Sequence, residues 1–215
     1  METITHANGT LAIVGVVKGL SSERAKVADS FRIKPDFVAI SISPEELKGL
    51  RKYRDGEMDE EIILSEYEEI YAARLSRWGD VEMPPPCFTE ALKIARERKL
   101  RVGALDMNEE TFTSAYCGLI SGTALLRHSL RKSIIKHMEF KADSPEEFVI
   151  RWDKKMTAIG GYRKLETERE KFMARRLAEF GCKFRTILAF IDVERARGVA
   201  TYARDIISKR QSESR

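Results

Sequence analysis

The sequence contains no apolar run close to the roughly 20 residues that span a bilayer, and its opening, METITHANGT, shows neither a basic n-region nor an apolar h-region. A soluble, cytoplasmic protein with no membrane role is the expectation. Cysteine is scarce: Cys87, Cys117 and Cys182 are odd in number, widely separated and free of CxxC spacing, which argues against a disulfide framework and a zinc knuckle. Histidine is as scarce, and His6, His128 and His137 share no metal-like spacing. His128 and His137, nine residues apart, do not fall on one helical face, so these side chains read as solvated or partner-facing. A Gly-rich phosphate loop is missing too, since GVVKG at 15–19 lacks the Walker residues and the dinucleotide fingerprint. No metal and no cofactor is expected. For a Cys-His nucleophile, Cys87 with His128 is conceivable, but only inventory joins them.

What remains is a chain of 215 residues, 43% hydrophobic, long enough for one sizeable core and read as a single domain over 1–215. A formal net charge of +4 is too mild to imply a nucleic-acid partner, but the charge is unevenly spread. From Asp55 to Glu69 there are eight acids (Asp55, Glu57, Asp59, Glu60, Glu61, Glu66, Glu68, Glu69) and no Lys or Arg, which predicts an acidic helix continuing to about Trp78. From Arg127 to Lys136 the sign reverses. Arg127, Arg131, Lys132 and Lys136 recur at helical spacing opposite Leu126, Leu130 and Ile134, a basic amphipathic helix.

TLAIVGVV, at 10–17, is a short apolar run near glycine, the pattern of a strand buried on both faces. Ser21 or Ser22 offers an N-cap for a helix that turns Val27 and Phe31 inward and ends before Pro35, and DFVAISI follows as a second strand. SPEE occurs at Ser43–Glu46 and Ser144–Glu147, each with a cap serine, proline at N1 and glutamate at N3, so both open helices. PPP at 84–86 interrupts regular structure before Phe88, Leu92 and Ala95 resume a helical period. LRVGALD, at 100–106, is the third strand. Helices follow from about Glu109 to Phe140, Pro145 to Ile159 and Tyr162 to Phe180, the last closed by Gly181. RTILAFIDV is a final strand and GVATYARDIISK a terminal helix, with a disordered tail over 210–215. Strands alternating with helices predict an α/β fold: a small, mostly parallel sheet covered by helices, with a large helical insertion at about 109–180.

The phrases LAIVGVVKGLSSERAKVADSFRIKPDFVAISISPEEL, FTEALKIARERKLRVGALDMNEETF, ETEREKFMARRL and ILAFIDVERARGVA, in that order, resemble the TraB family. Its relatives include the Tiki metal-dependent peptidases and, more remotely, proteins of the haem-uptake ChaN and erythromycin-esterase type. The resemblance implies a hydrolase site at the strand ends, and the departures from it fall on that site. Lys18 stands where the family has its turn histidine, Ser41 where it has the strand-two glutamate, and Cys87 where it has a further glutamate. Asp106 matches the strand-three aspartate, but Met107 replaces the arginine after it. Arg195 replaces the last histidine, and Asp192 and Glu194 replace two glycines of the final turn, of which Gly198 remains.

A lysine or arginine at a metal-ligand position adds a cation where the ion would sit, so metal catalysis is not expected. A non-catalytic binding or scaffold module is the first reading. Lys18 and Arg195, both at strand carboxyl ends in the usual ligand crevice of an open α/β sheet, could make that crevice electropositive and hold a small anionic ligand beside Ser41 and Asp106. One alternative is a peptidase- or esterase-like hydrolase with relocated catalytic groups, using Asp106. Another is nucleic-acid binding through the basic helix at 127–136, disfavoured because no aromatics are interleaved with its charges. Within AYCGLISGTALLRHSLRKSIIKH, at 115–137, Gly118 and Gly122 sit one helical turn apart among small residues. Such a face usually meets another helix of the same domain. The functional reading is a homodimer in which Gly118, Gly122, Arg127, Arg131 and Lys132 meet a partner subunit, the acidic helix at 55–69 offering a complementary surface to the basic stripe.

Overall fold

The N-terminal ETITH alternates along its length, with Ile4 and His6 buried and Thr3 and Thr5 exposed. It makes β1 (Glu2–His6) in the computed structural model, which describes residues 1–56 and 65–213, with the side chains of Lys132, Ser133 and Glu213 outside the description. Ala7 and Asn8 turn the chain into β2 (Gly9–Val16), paired antiparallel with β1 from Glu2↔Ile13 to His6↔Gly9. Glycine is required at position 9, because a Cβ there would run into the Arg185 carbonyl, which accepts a hydrogen bond from Thr10 N at 2.6 Å.

The sheet is completed by β3 (Phe37–Ile40), β4 (Arg101–Ala104) and β5 (Thr186–Asp192), in the order β1-β2-β5-β3-β4. Strands β2, β5, β3 and β4 run parallel to one another, so their carboxyl ends share one edge. This is the small, mostly parallel sheet of an α/β fold. Helices α1 (Glu23–Ser30), α2 (Pro44–Arg54), α3 (Glu66–Leu75) and α4 (Pro86–Glu97) follow β2 and β3. On one face Val27, Leu47, Phe88 and Leu92 of α1, α2 and α4 pack with Val14, Val38, Ile40 and Phe190. Each such side chain contributes about 1.5–3 kcal/mol by leaving water. Beyond β4 come α5 (Glu109–Leu119), α6 (Gly122–His137), α7 (Pro145–Met156) and α8 (Gly160–Gly181), and α9 (Val193–Glu213) follows β5. The opposite face is covered by Met173 and Leu177 of α8 and Val199 and Ala203 of α9, against Ile13, Ala39, Ile187 and Ile191. The stretch at 109–180 is helical as expected, but α8 belongs to the sheet's own cover.

A third cluster, including Val17, Leu20, Leu75, Ile135, Phe148 and Trp152, joins α3, α6 and α7 to the chain leaving β2. Phe148 lies at its centre, 5.3 Å from the Trp78 ring and 5.7–6.0 Å from those of Tyr71, Phe140 and Trp152.

Local capping chemistry sets the helix boundaries. At α2, Glu46 N donates to Ser43 Oγ at 3.1 Å and Ser43 N donates to Glu46 Oε2 at 2.8 Å. Ser65 and Glu68 repeat the device, with Ser65 N donating to Glu68 Oε2 at 2.7 Å, so a new helix starts at Glu66 and the expected acidic helix does not run through from Asp55. Glu57, Asp59, Glu60 and Glu61 lie outside the described residues. The helix expected over 109–140 also divides. Ile120 is extended, with φ −99° and ψ 108°, and Ala124 N donates to Ser121 Oγ at 3.2 Å to open α6. Gly118 therefore belongs to α5 and Gly122 to α6, and a Cβ on either would meet open space. The close helix approach is made instead at Gly161, where a Cβ would lie 2.6 Å from the Leu119 carbonyl oxygen. At the C-terminus α9 continues through Glu213 where a disordered tail is predicted, and residues 214–215 lie outside the description.

With no glycine seam, Gly122→Ala is expected to raise stability by about 0.4–1 kcal/mol through the unfolded chain. A small upward shift in the urea midpoint checks this, and a loss of stability would place Gly122 against a neighbour.

Candidate functional site

Strands β2 and β3 lead into α1 and α2 on one face of the sheet, whereas β5, between them, leads into α9 on the other. Such a reversal opens a crevice at the carboxyl edge. Gly19, in the left-handed region at φ +98°, turns the chain just after β2 and leaves Lys18 at that edge. Lys18 Nζ is 3.2 Å from Asp192 Oδ2 and 5.5 Å from the centre of the Phe88 ring. The Tyr71 hydroxyl of α3 donates to the Lys18 carbonyl at 3.3 Å. Burial disfavours the Lys18 ammonium, but Asp192, with Glu46 and Glu194, more than offsets it, and the pKa rises above that of an ordinary lysine. Lys18 is thus a fixed cation, unsuited to act as a base or amine nucleophile.

Asp192 ends β5 and is 5% exposed. Its backbone N donates to Ser41 Oγ at 3.0 Å, which ties the ends of β5 and β3 together, and burial pushes its carboxyl up. Asp192 Oδ1 has no hydrogen-bond partner among the described residues. Two residues on, burial and then Asp192 push Glu194 up to about 8.

Asp106 leads into a second set of pairs. Its Oδ1 accepts from Met107 N at 2.8 Å, and Arg169 of α8 donates from Nε at 3.1 Å and from Nη2 to Oδ2. Arg169 Nη1 also donates to Glu166 Oε2 at 2.8 Å. Arg195, in the first turn of α9 and 8% exposed, lies with Nε 3.1 Å from the same Glu166 oxygen, with Nη1 3.5 Å from Glu170, and with Nη2 paired to Asp153 of α7. Glu166 therefore bridges two guanidinium groups. Burial raises the Asp153 and Glu170 pKa values, opposed by Arg195. Gly198 leaves room for this, since a Cβ there would collide with the Glu170 carboxylate.

The four residues singled out from the sequence as ligand-binding candidates, Lys18, Ser41, Asp106 and Arg195, thus all stand on the carboxyl edge. Lys18 and Ser41 meet through Asp192, and Asp106 reaches Arg195 through Arg169 and Glu166. The edge is not the electropositive crevice expected: Asp106, Asp153, Glu166, Glu170, Asp192 and Glu194 outnumber Lys18, Arg169 and Arg195. Ser41 is 1% exposed and Cys87 is fully buried, its thiol pushed up by burial. His6 is buried too, and His128 stacks on Tyr162 at 4.4 Å and is half-buried, so only His137 is solvated as expected. Among the described residues no group of three or more His, Cys, Asp or Glu side chains could hold a metal ion, and no helix is long and apolar enough to cross a membrane. A cleft of about 380 Å³ opens beside the network, lined by Ser43, Glu46, Asp106, Glu109, Phe112 and Arg169. Its one guanidinium is already held by Asp106.

Asp153, Glu166, Arg169 and Glu170 were not singled out from the sequence. A signal existed, because Glu166, Arg169 and Glu170 fall at helical spacing on the face that continues into the buried Met173, Ala174 and Leu177. Charges on an apolar stripe must find partners. Of the interface candidates, Gly118 and Gly122 are open, Arg127 is exposed, Arg131 donates to the Lys155 carbonyl at 3.3 Å, and the Lys132 side chain lies outside the description. Compared with known proteins, the chain matches no family model and no curated protein.

Proposed function

We propose that this protein is a non-catalytic, TraB-like α/β module that acts as a binding or scaffold unit. One observation carries the reading: the crevice where such a sheet would work on a ligand is occupied by the chain's own ion pairs, from Lys18–Asp192 to Arg195 with Asp153, Glu166 and Glu170. An anionic ligand drops out of it, because each cation there faces a carboxylate of the chain itself. Free thiols at Cys87, Cys117 and Cys182 fit a reducing compartment such as the cytoplasm.

A panel of ester and peptide substrates, with and without added zinc, manganese or cobalt, tests the proposal. Background rates are expected, unchanged by Asp106→Asn. Turnover that a chelator or Asp106→Asn abolishes in a folded protein would establish the hydrolase instead.

A further inference from the structure

An amphipathic helix normally turns its apolar row to the core. In α6 the core side is taken by Ala124, His128 and Ile135, and the row Leu126, Leu130 and Ile134, one turn apart, points the other way, 64%, 66% and 58% exposed. The flanks of this ridge differ in sign. On one side lies α3, with Glu66, Glu68 and Glu69 exposed; Tyr67 donates to the His128 carbonyl at 3.2 Å and Glu66 pairs with Lys136. On the other lies α7, reached through Arg131. There a cleft of about 630 Å³ is lined by Arg131, Lys141, Lys154, Lys155 and Arg163, beside Ile150, which is 47% exposed. Glu139 and Glu147 are the acids of that cleft, and Glu147 is held by Arg151. From 122 to 164 the chain has ten Lys and Arg against five Asp and Glu, so this region carries the excess that gives the whole molecule its +4.

An apolar ridge between an acidic and a basic flank selects its occupant. An anionic bilayer or a nucleic acid drawn to α7 would be repelled by α3, and a uniformly acidic protein would meet the same obstacle. The partner must carry the same two signs in exchanged positions, and the chain itself does. We infer that this face binds a second copy of the chain, with the two-fold axis running along α6. Rotation about such an axis exchanges the flanks, so that α3 of each subunit faces α7 of the other and the two α6 helices run parallel. An axis across α6 would set α3 against α3 and α7 against α7. Stable interfaces bury roughly 800 Å² per partner, and a 16-residue helix is only about 24 Å long, so the flanks have to take part. Burial of the leucine ridge supplies the stability, and the charges fix orientation and speed encounter.

This inference rests on the reading of the protein as a binding module, and its test is independent of activity. Sedimentation equilibrium of the full chain should show a dimer at micromolar concentrations. Leu126→Glu/Leu130→Glu removes only exposed apolar surface, so it should keep the circular dichroism and melting temperature while raising Kd at least about a hundredfold. Glu69→Lys and Lys154→Glu should each weaken the dimer about tenfold, and mixing these two variants one to one should restore it, because each then offers the sign the other needs. A wild-type monomer at about 100 µM, a dimer that survives Leu126→Glu/Leu130→Glu, or a mixture that fails to recover overturns the inference. So does a monomer that pellets with phosphatidylserine vesicles, which would put a lipid surface in the partner's place. Hydrolase activity would remove the function proposed above and leave the dimer standing.

Discussion

Replacing Arg195 by methionine is expected to destabilise the protein by about 3–5 kcal/mol, the usual consequence of removing one partner from a buried ion pair. Against a total stability of about 5–15 kcal/mol, that is the difference between a folded and a marginal protein. The side chain is 10% exposed and serves Asp153, Glu166 and Glu170 at once, so its loss leaves several carboxyls with less compensation than burial demands. Methionine fills much of the same volume, which separates the charge effect from a cavity. The decisive sign is in the pH dependence. Asp153 and Glu170 are already pushed up by burial, with Arg195 opposing, and without the guanidinium both rise further. Their protonation then relieves the variant, so the deficit in urea unfolding should be largest at neutral pH and shrink on acidification toward pH 5. A deficit independent of pH would mean that Arg195 acts through packing alone. Arg195→Lys should fall between, since an ammonium keeps the charge but cannot present the guanidinium's divergent donors to three carboxylates.

This network also shows what was legible in the sequence. The parallel strands were, because a strand covered on both faces must be apolar throughout, as in LAIV and ILAF. Their alternation with helices was enough to bring Lys18, Ser41, Asp106 and Arg195 to one edge, since parallel strands end on the same side. The partners of these residues were not legible. Arg169 meets Asp106 from 63 positions away and Asp153 meets Arg195 from 42, and no local spacing announces such a pair. The same limit explains α6. Periodicity finds the apolar row of Leu126, Leu130 and Ile134 but cannot say whether the domain has a surface left to receive it, and here Ala124 and Ile135 face inward instead. β1 was missed because five alternating residues are a weak signal beside the buried run that follows. The start at Glu66 carried a readable signal, the serine and glutamate of SEYE, whereas the break at Ser121 lacks a glutamate three residues on, and half a capping box is easily passed over.

Glu194→Gln should give the opposite kind of result, a protein more stable than wild type and increasingly so as pH rises. In the fold, burial and the neighbouring Asp192 move this carboxyl from an ordinary 4.5 to about 8, with Arg195 and Lys18 opposing. A carboxyl raised by folding binds its proton more tightly in the native chain than in the unfolded one, so between these values the native state holds more protons and stability falls as pH increases. The contribution is fully present below pH 4.5 and is lost as pH passes through about 8. Taken whole, such a shift corresponds to about 4–5 kcal/mol. Glu194 is only partly buried, however, and it sits in the first turn of α9, where the helix dipole favours the anion, so about 1–2 kcal/mol is the expected share. Glutamine keeps the shape and a neutral hydrogen-bonding end while removing the titration. Wild type and variant should therefore match at pH 4.5 in thermal or urea unfolding, and separate progressively to pH 8 and above, with the variant on top. Curves that stay parallel across this range would show that Glu194 is ionised in the fold at ordinary cost, and that the acids of the crevice are compensated more evenly than their burial implies.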